Sequence, residues 1–259
     1  GDFLSAPGAA KYDAILMNPP FLSWESLSLD QRKVLKDILG KSFAGRPDLS
    51  MAFIQGSLSQ LAPEGTLATL VPRGVLDSQR GAKWRAAMLS GNDVRLIGTF
   101  GDHGLFRHAI VSIGAIVFEK KRTGAATVMV WADERPNSAE TALRELRIRL
   151  ASKNLIEDRS TNWSIYATRS GDLAARKSWL PTANALGALL DEIRERQFPT
   201  VEQLFTVRQS IKTGINEAFL VSDEELQELP ARERKYFRRV AGGDDIFGGR
   251  IHSSMNMFY

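Results

Sequence analysis

The 259-residue sequence contains no cysteine. Disulfide scaffolds, thiolate metal sites and cysteine nucleophiles are excluded together. Histidine is nearly as scarce, at His103, His108 and His252, too few for a histidine-rich metal centre. No apolar run approaches the roughly 20 residues that cross a bilayer, and Gly1 to Leu4 opens no basic, apolar leader. These absences lead us to expect a soluble cytoplasmic chain with no membrane partner and no metal. What is present is ordinary globular usage, 43% hydrophobic and 25% charged with 21 Gly and 10 Pro, which sets aside disorder, collagen and coiled coil. At roughly 150 residues per domain the length suits one large or two small domains.

The net charge of +4 is unevenly placed. Residues 1–132 carry 15 basic and 11 acidic side chains, whereas the remainder carries 19 of each. That excess is compatible with a polyanion partner and does not demand one.

The first half alternates strand and helix patterns. Tyr12 to Met17 is a short apolar run ended by Asn18-Pro19-Pro20, and two prolines forbid continuation of a central strand. Ser28-x-x-Gln31 can form a capping box for a helix to Leu39, stopped by Gly40. Asp48 can cap a second helix with Met51, Ile54, Leu58 and Leu61 on one face. Pro63-Glu64-Gly65 reads as a turn before a strand over Thr66 to Val71. Gln79 to Ser90 reads as helix. Val94 to Thr99, Ala109 to Phe118 and Ala126 to Trp131 read as strands. The order predicts an α/β sheet with an antiparallel pair at one end. Further on, Thr141 to Ser152 is an amphipathic helix with Leu143, Leu146 and Leu150 expected inside. Residues 157–178 read as a connector, and Pro181 to Gln197 as another helix. The expected division is 1–132, a connector over 133–180, and a second region over 181–259.

The feature richest in chemistry is Asn18-Pro19-Pro20-Phe21, directly after a strand. Its parts suit alkylation of a planar amino group such as the exocyclic amine of adenine, whose lone pair is delocalised into the ring. The Asn18 amide oxygen and the Pro19 carbonyl can each accept one N–H bond. Two acceptors outside the ring plane draw the nitrogen toward a tetrahedral shape and free its lone pair, which is stabilisation by fixed dipoles without a general base. Proline fixes φ and holds the preceding residue extended, so the carbonyl direction is set in advance. Phe21 offers a flat face for the base. A plain Pro-Pro turn with a core phenylalanine would have the same four letters.

Gly1-Asp2-Phe3-Leu4, then Lys11 to Met17 leading into Asn18-Pro19-Pro20-Phe21, resembles the S-adenosylmethionine-dependent amino-methyltransferases. More narrowly the sequence is similar to the gamma-class N6-adenine DNA methyltransferases of restriction-modification systems. The resemblance continues through Asp48 to Gln60, Leu61 to Leu67, and Gly104-Leu105-Phe106 to Phe118. It implies a partial Rossmann-like α/β methyltransferase sheet followed by a mixed α+β target-recognition region, with double-stranded DNA as partner. It also implies that Asp2 hydrogen-bonds the cofactor's adenine, that Phe53 packs near the cofactor, and that Phe106 takes the opposite face of the flipped base from Phe21. The helical spacing of Phe53 fits core packing equally well, and Phe106 could anchor a connector.

One element of the resemblance has no counterpart, the Gly-rich loop that holds the methionine part of the cofactor. Gly98, Gly101 and Gly104 precede a strand instead of a helix. The chain is therefore expected to start mid-domain, to need a further N-terminal part of the same protein, and to be inactive by itself. In the second region, Lys212-Thr213-Gly214-Ile215-Asn216 is similar to a target-recognition segment; Lys212 and Asn216 could reach phosphate and base edges. Arg232, Arg234, Lys235, Arg238 and Arg239 surround Tyr236 and Phe237, a pattern that suits a DNA backbone or a solvated face. Two other readings stay open: methylation of a protein glutamine or an RNA base, and a DNA-binding module without activity.

Overall fold

Strand β1, Tyr12–Met17, ends where Pro19 and Pro20 remove the next backbone donors. The computed structural model describes residue 4 and residues 11–101, 112–152, 158–206 and 219–258. Asp2, Phe106, Lys212 and Asn216, and with them the Gly214 turn, lie outside the described residues. The chain divides into two units, Gly1–Gln197 and Phe198–Tyr259.

In the first unit, helix α1 (Leu29–Leu39) begins with the expected capping box. Ser28 Oγ accepts from the Gln31 N–H at 3.2 Å and Gln31 Oε1 accepts from the Ser28 N–H at 2.9 Å. Gly40, at φ 49°, ends it in a conformation that favours glycine. Helix α2 (Leu49–Gln60) starts at Asp48, whose Oδ1 accepts from the Ser50 N–H at 2.8 Å. Strand β2 (Leu61–Pro72) follows at once. Pro63-Glu64-Gly65, expected as a turn ahead of a strand over Thr66 to Val71, lies inside the strand as an irregularity: Glu64 is at φ 63°, and the β1 register jumps from Tyr12↔Leu61 to Ala14↔Thr66. A Cβ on Gly65 would stand 2.9 Å from the Tyr12 carbonyl oxygen, so the close approach there requires glycine.

Helices α3 (Arg73–Asp77) and α4 (Ala82–Gly91) lead to strands β3 (Asp93–Phe100), β4 (Ile113–Glu119) and β5 (Thr127–Ala132). Helix α5 (Ser138–Ser152), strands β6 (Asp158–Arg159) and β7 (Trp163–Thr168), and helices α6 (Ser170–Ala175) and α7 (Asn184–Glu195) complete the unit. The seven strands form one sheet in the order β1-β2-β4-β3-β5-β7-β6. Antiparallel β4 does not sit at one end, as expected, but lies between β2 and β3, because β4 pairs antiparallel with both. Segment 133–180, expected as a connector, also extends the sheet. Trp163 to Thr168 holds strand-forming Trp, Ile, Tyr and Thr, and β7 pairs antiparallel with β5 over six residues.

The two faces of the sheet are covered differently. Leu67, Val71, Ile97, Ile116, Phe118 and Met129 belong to a core they share with Leu35, Leu39, Ile54, Leu58, Trp84 and Met88 from α1, α2 and α4. On the other face, Val128, Val130 and Ile165 pack with Ala142 and Leu146 of α5. The buried stripe of α5 thus runs through Ala142 and Leu146. Leu143 and Leu150, expected inside, are 42% and 51% exposed, because the smaller Ala142 lets the helix approach the sheet and turns its neighbours outward. Among the described residues nothing covers that face over β1, where Leu16 is 88% exposed.

Two buried charged groups fasten the unit. Arg85 is 2% exposed; its Nη1 donates to the carbonyls of Val75 (2.8 Å) and Ser78 (3.1 Å), and its Nη2 to that of Lys177 (2.6 Å). Burial holds its pKa below the ordinary arginine value, against the pull of nearby Asp77. Asp93, at the start of β3, accepts from the Thr123 Oγ and N–H and from the Gly124 N–H. Burial pushes its carboxyl up, but the Thr123 and Gly124 donors and Arg95 outweigh that, so the net shift is downward. A carboxylate depressed in the fold stabilises above the ordinary aspartate range and loses that contribution as pH falls through the folded value. Asp93→Asn is expected to lower stability by about 2 kcal/mol at pH 7, the scale of hydrogen bonds to a charged group. Urea unfolding of both proteins at stepwise lower pH checks this. The gap should close below the ordinary aspartate range, and a constant gap would assign the loss to packing.

In the second unit, helix α8 (Val201–Leu204) is followed by strand β8 (Leu220–Ser222) and by helices α9 (Asp223–Glu228) and α10 (Ala231–Arg234). Strands β9 (Phe237–Val240), β10 (Ile246–Phe247), β11 (Arg250–Ile251) and β12 (Met255–Phe258) come last. β12 lies between β8 and β9 in an antiparallel sheet, and β10 and β11 form a separate hairpin. Among the described residues no helix is long and apolar enough to cross a membrane.

Candidate active site

Strands β1, β2, β3 and β5 run in the same direction, so Asn18, Arg73, Gly101 and Asp133 follow their carboxyl ends at one end of the sheet. Ligands of open α/β sheets gather at that end. Asn18 is exposed there, Pro19 is buried, Pro20 is exposed and Phe21 is half-buried. The amide and the ring are thus presented outward on an anchored proline.

Helix α2 sets the height of this turn. The Leu49 N–H at its start donates to the Leu22 carbonyl at 3.0 Å, and Ser57 Oγ donates to Met17 Sδ at 3.4 Å. Phe53 lies one turn nearer the helix start than Ser57, about 6 Å along the axis, between the two contacts that α2 makes with Met17 and Leu22. It is half-buried and packs on the core. Both readings of its spacing are therefore compatible with its place. Burial raises the Asp48 carboxyl above its ordinary range, opposed by the Ser50 hydroxyl and N–H.

The chain after Phe21 is clamped. The Trp24 ring meets Phe43 edge-on at 5.7 Å, and the Arg32 guanidinium lies 5.2 Å from the Trp24 centroid while donating to the Trp24 carbonyl at 3.1 Å. Arg46 donates to Glu25 Oε1 at 2.8 Å and lowers that carboxyl. The Arg73 N–H donates to the Ser112 carbonyl at 2.9 Å, and the Gly101 N–H to the Ala132 carbonyl at 3.0 Å. The two described residues that flank the segment carrying Phe106 therefore stand at the same sheet end as Asn18. Ser112 is two strand spacings from β1, about 10 Å.

The basic cluster of the second unit is split by its contacts. Arg239 Nη2 donates to both Asp223 oxygens at 2.7 and 2.6 Å. Asn256 Nδ2 reaches the same carboxylate at 2.7 Å, and Asn256 and Arg239 together hold it below the ordinary range. Arg234 donates to the carbonyls of Leu229 and Gln227. These two arginines brace the fold, a role that the run of letters did not reveal. Arg238 Nη1 donates to the nearby carbonyls of Lys235 and Phe237, Arg232 Nε lies 3.6 Å from Glu233 Oε1, and Lys235 Nζ lies 4.9 Å from the Tyr236 ring; all five basic residues are exposed. An open cleft of about 460 Å³ between α1, α2 and α4, lined by Ile38, Gln55, Leu58, Met88 and Asn92 among others, includes none of Asn18 to Phe21.

Comparison with known proteins defines the class. Residues 2–106 match the family described as Eco57I restriction-modification methylase. The type II methyltransferase M.PaeR7I of Pseudomonas aeruginosa is 24% identical over 236 residues, covering 90% of this chain and 39% of that protein. Among solved structures, the type IIG restriction endonuclease BpuSI superposes with a TM-score of 0.57 at 13% identity, over 96% of this chain and 27% of its own. The type IIL restriction-modification enzyme MmeI, solved in complex with DNA, gives a TM-score of 0.57 at 17% identity, over 95% and 29%. Residues 2–106 are thus similar to a restriction-modification methylase, and the chain shares the α/β fold of these solved enzymes. The chain spans about two-fifths of the length of the curated relative.

Proposed function

We propose that this chain carries the target-base half of a restriction-modification DNA methyltransferase that moves a methyl group from S-adenosylmethionine to N6 of adenine. The observation that carries the reading is the presentation of Asn18 and Phe21 at the carboxyl end of β1, within the stretch that matches the methylase family. Adenine inside a duplex is out of reach, so the base must be rotated out to be read. Phe21 then supports one face of the base and Phe106 the other. The Asn18 amide oxygen and the Pro19 carbonyl accept the two amine protons and leave the lone pair directed at the methyl donor. On this reading residues 181–259 open the target-recognition region, with Lys212 and Asn216 among its contacts.

The described residues fit the cofactor in part. Half-buried Phe53, on the α2 half whose first N–H meets Leu22, would pack beside the cofactor, and Asp2, outside the described residues, would hydrogen-bond its adenine. Bound S-adenosylmethionine would supply the electrophilic methyl group. The uncovered face of β1 around Leu16 supports a further segment, in the same polypeptide or a partner, that closes the pocket.

The assay is transfer of labelled methyl groups to duplex DNA, RNA and a glutamine-bearing protein by the catalytically competent protein. Label on adenine N6 of duplex DNA is expected. Label in RNA or glutamine would replace the substrate assignment, and DNA binding without label would leave a recognition module.

Phe21→Ala is expected to weaken capture of the extrahelical base by about 1–3 kcal/mol, the scale of base–aromatic stacking. Phe21→Tyr and Phe21→Trp should be tolerated, since no hydroxyl is involved. Fluorescence of 2-aminopurine at the target position reports base extrusion. Phe106→Ala should lower it as well; an unchanged signal there would return Phe106 to an anchoring role.

A further inference from the structure

The hairpin of β10 and β11 pairs Ile246 with Ile251 and Phe247 with Arg250. It turns through Gly248 at φ 58° and Gly249 at φ 72°. Two consecutive left-handed residues match the twist of a two-residue hairpin, and glycine adopts them without strain. The hairpin is held at its base. The His252 N–H donates to the Asp245 carbonyl at 2.8 Å, and Asp245 Oδ2 accepts from the Gly242 N–H at 2.8 Å. Ser253 Oγ donates to the Val240 carbonyl, where the β9–β12 ladder begins.

Its large side chains remain in solvent: Ile246 is 57% exposed, Phe247 59% and Ile251 68%. Alternation along the strands places Phe247, Arg250 and His252 on one face, and Ile246 and Ile251 on the other. On the first face the Phe247 and His252 rings are stacked, with centroids 4.1 Å apart and planes 12° from parallel. Stacking across the strands supports a hairpin that is marginal on its own, but it leaves the exposed remainder of the Phe247 side chain, beside Arg250, open to a partner.

We infer that the Phe247–Arg250–His252 face of this hairpin is a DNA contact, with Phe247 against an unstacked base and Arg250 on a neighbouring phosphate. The inference rests on the proposed DNA-methyltransferase reading and deepens it. Flat rings that tolerate any base, beside a guanidinium, are the components of single-strand and distorted-duplex recognition. Arg238, in the β9 strand of the neighbouring ladder, and Lys235 just before that strand are exposed basic residues as well. Of the acidic residues nearby, Asp245 is occupied by the Gly242 N–H, and Asp244 is exposed. A protein groove would instead be matched by the Ile246–Ile251 face.

The test is fluorescence anisotropy of the 259-residue chain with a labelled mixed-sequence duplex bearing one unpaired adenine, titrated at several salt concentrations. Phe247→Ala should weaken binding about tenfold with an unchanged salt slope. Arg250→Gln should lower the slope by about one phosphate contact. Ile251→Ser should bind as the parent does. Circular dichroism confirms that each variant is folded, as expected for exposed positions. If Phe247→Ala binds normally while Arg238→Ala does not, the DNA reading stands and the hairpin contact is overturned. A loss confined to Ile251→Ser overturns it in favour of the apolar face. A parent chain that binds no DNA removes both.

Discussion

Asn18→Ala is expected to lower methyl transfer by about a hundredfold or more while leaving DNA affinity within a few-fold of the parent. The magnitude follows from what one fixed dipole contributes when it is aimed at charge that develops in the transition state, about 10²–10³ in kcat. Asn18 is exposed at the end of β1 and holds no part of the core, so the substitution leaves folding intact. On the proposed reading its oxygen acts on the amine as the nitrogen becomes tetrahedral and makes little of the ground-state interface. The loss should therefore fall on kcat and leave KM nearly unchanged. Single-turnover kinetics with the complete enzyme, beside a filter-binding titration, separate the two quantities. Near-normal turnover would remove Asn18 from the chemistry and leave Asn18-Pro19-Pro20 as a strand-ending turn.

Arg85→Met is expected to be the most damaging single change to the first unit, about 3 kcal/mol. Three carbonyls, from Val75, Ser78 and Lys177, depend on this guanidinium, and a buried acceptor left unpaired costs about 1–3 kcal/mol. Methionine removes the cost of burying a charge, which for a well-packed ion pair can balance the loss. Here the partners are carbonyls that stay behind, so the balance falls against the variant. The same substitution cuts the tie between the end of α3 and residue 177, beside Trp179, whose N–H donates to the Leu76 carbonyl at 2.7 Å. A drop in Tm of about 6–12 °C is expected for a unit of this size. Arg85→Lys, which keeps the charge but not the forked geometry, should fall between the two. An unchanged midpoint for Arg85→Met would show that water replaces the guanidinium.

Local features were legible in the sequence because their causes are local. Ser28 with Gln31, Asp48 with Ser50, Gly40 and the proline pair each act within four residues, so the bounds of β1 and α1 and the start of α2 were read where the structure places them, whereas Leu61, expected on the α2 face, opens β2. The same locality misled at Pro63-Glu64-Gly65. Glu64 does take a turn conformation at φ 63°, but the strand begins ahead of it at Leu61, and the ladder to β1 resumes and that to β4 starts at Thr66. In α5 the period was legible and its phase was not, since Leu143, Leu146 and Leu150 satisfy a helical stripe as well as Ala142 and Leu146 do. Arg85 gave no signal at all: one arginine among 34 basic residues becomes structural only when a segment 92 positions away is folded against it.

By itself the sequence pointed to the methyltransferase reading, through the Asn18-Pro19-Pro20-Phe21 turn and the spacing of the stretches around it, because the proposed chemistry depends on residue identity directly after a strand. The tertiary structure decided what those residues stand beside. Antiparallel β4 enters between β2 and β3, which brings Ser112 to the end of the sheet where Asn18 is exposed. It also decided which arginines of one basic run brace Asp223 and the α9–α10 turn. The reason is physical: strand order and ion pairing are set by contacts between segments far apart in the chain, and no local pattern of letters encodes their outcome.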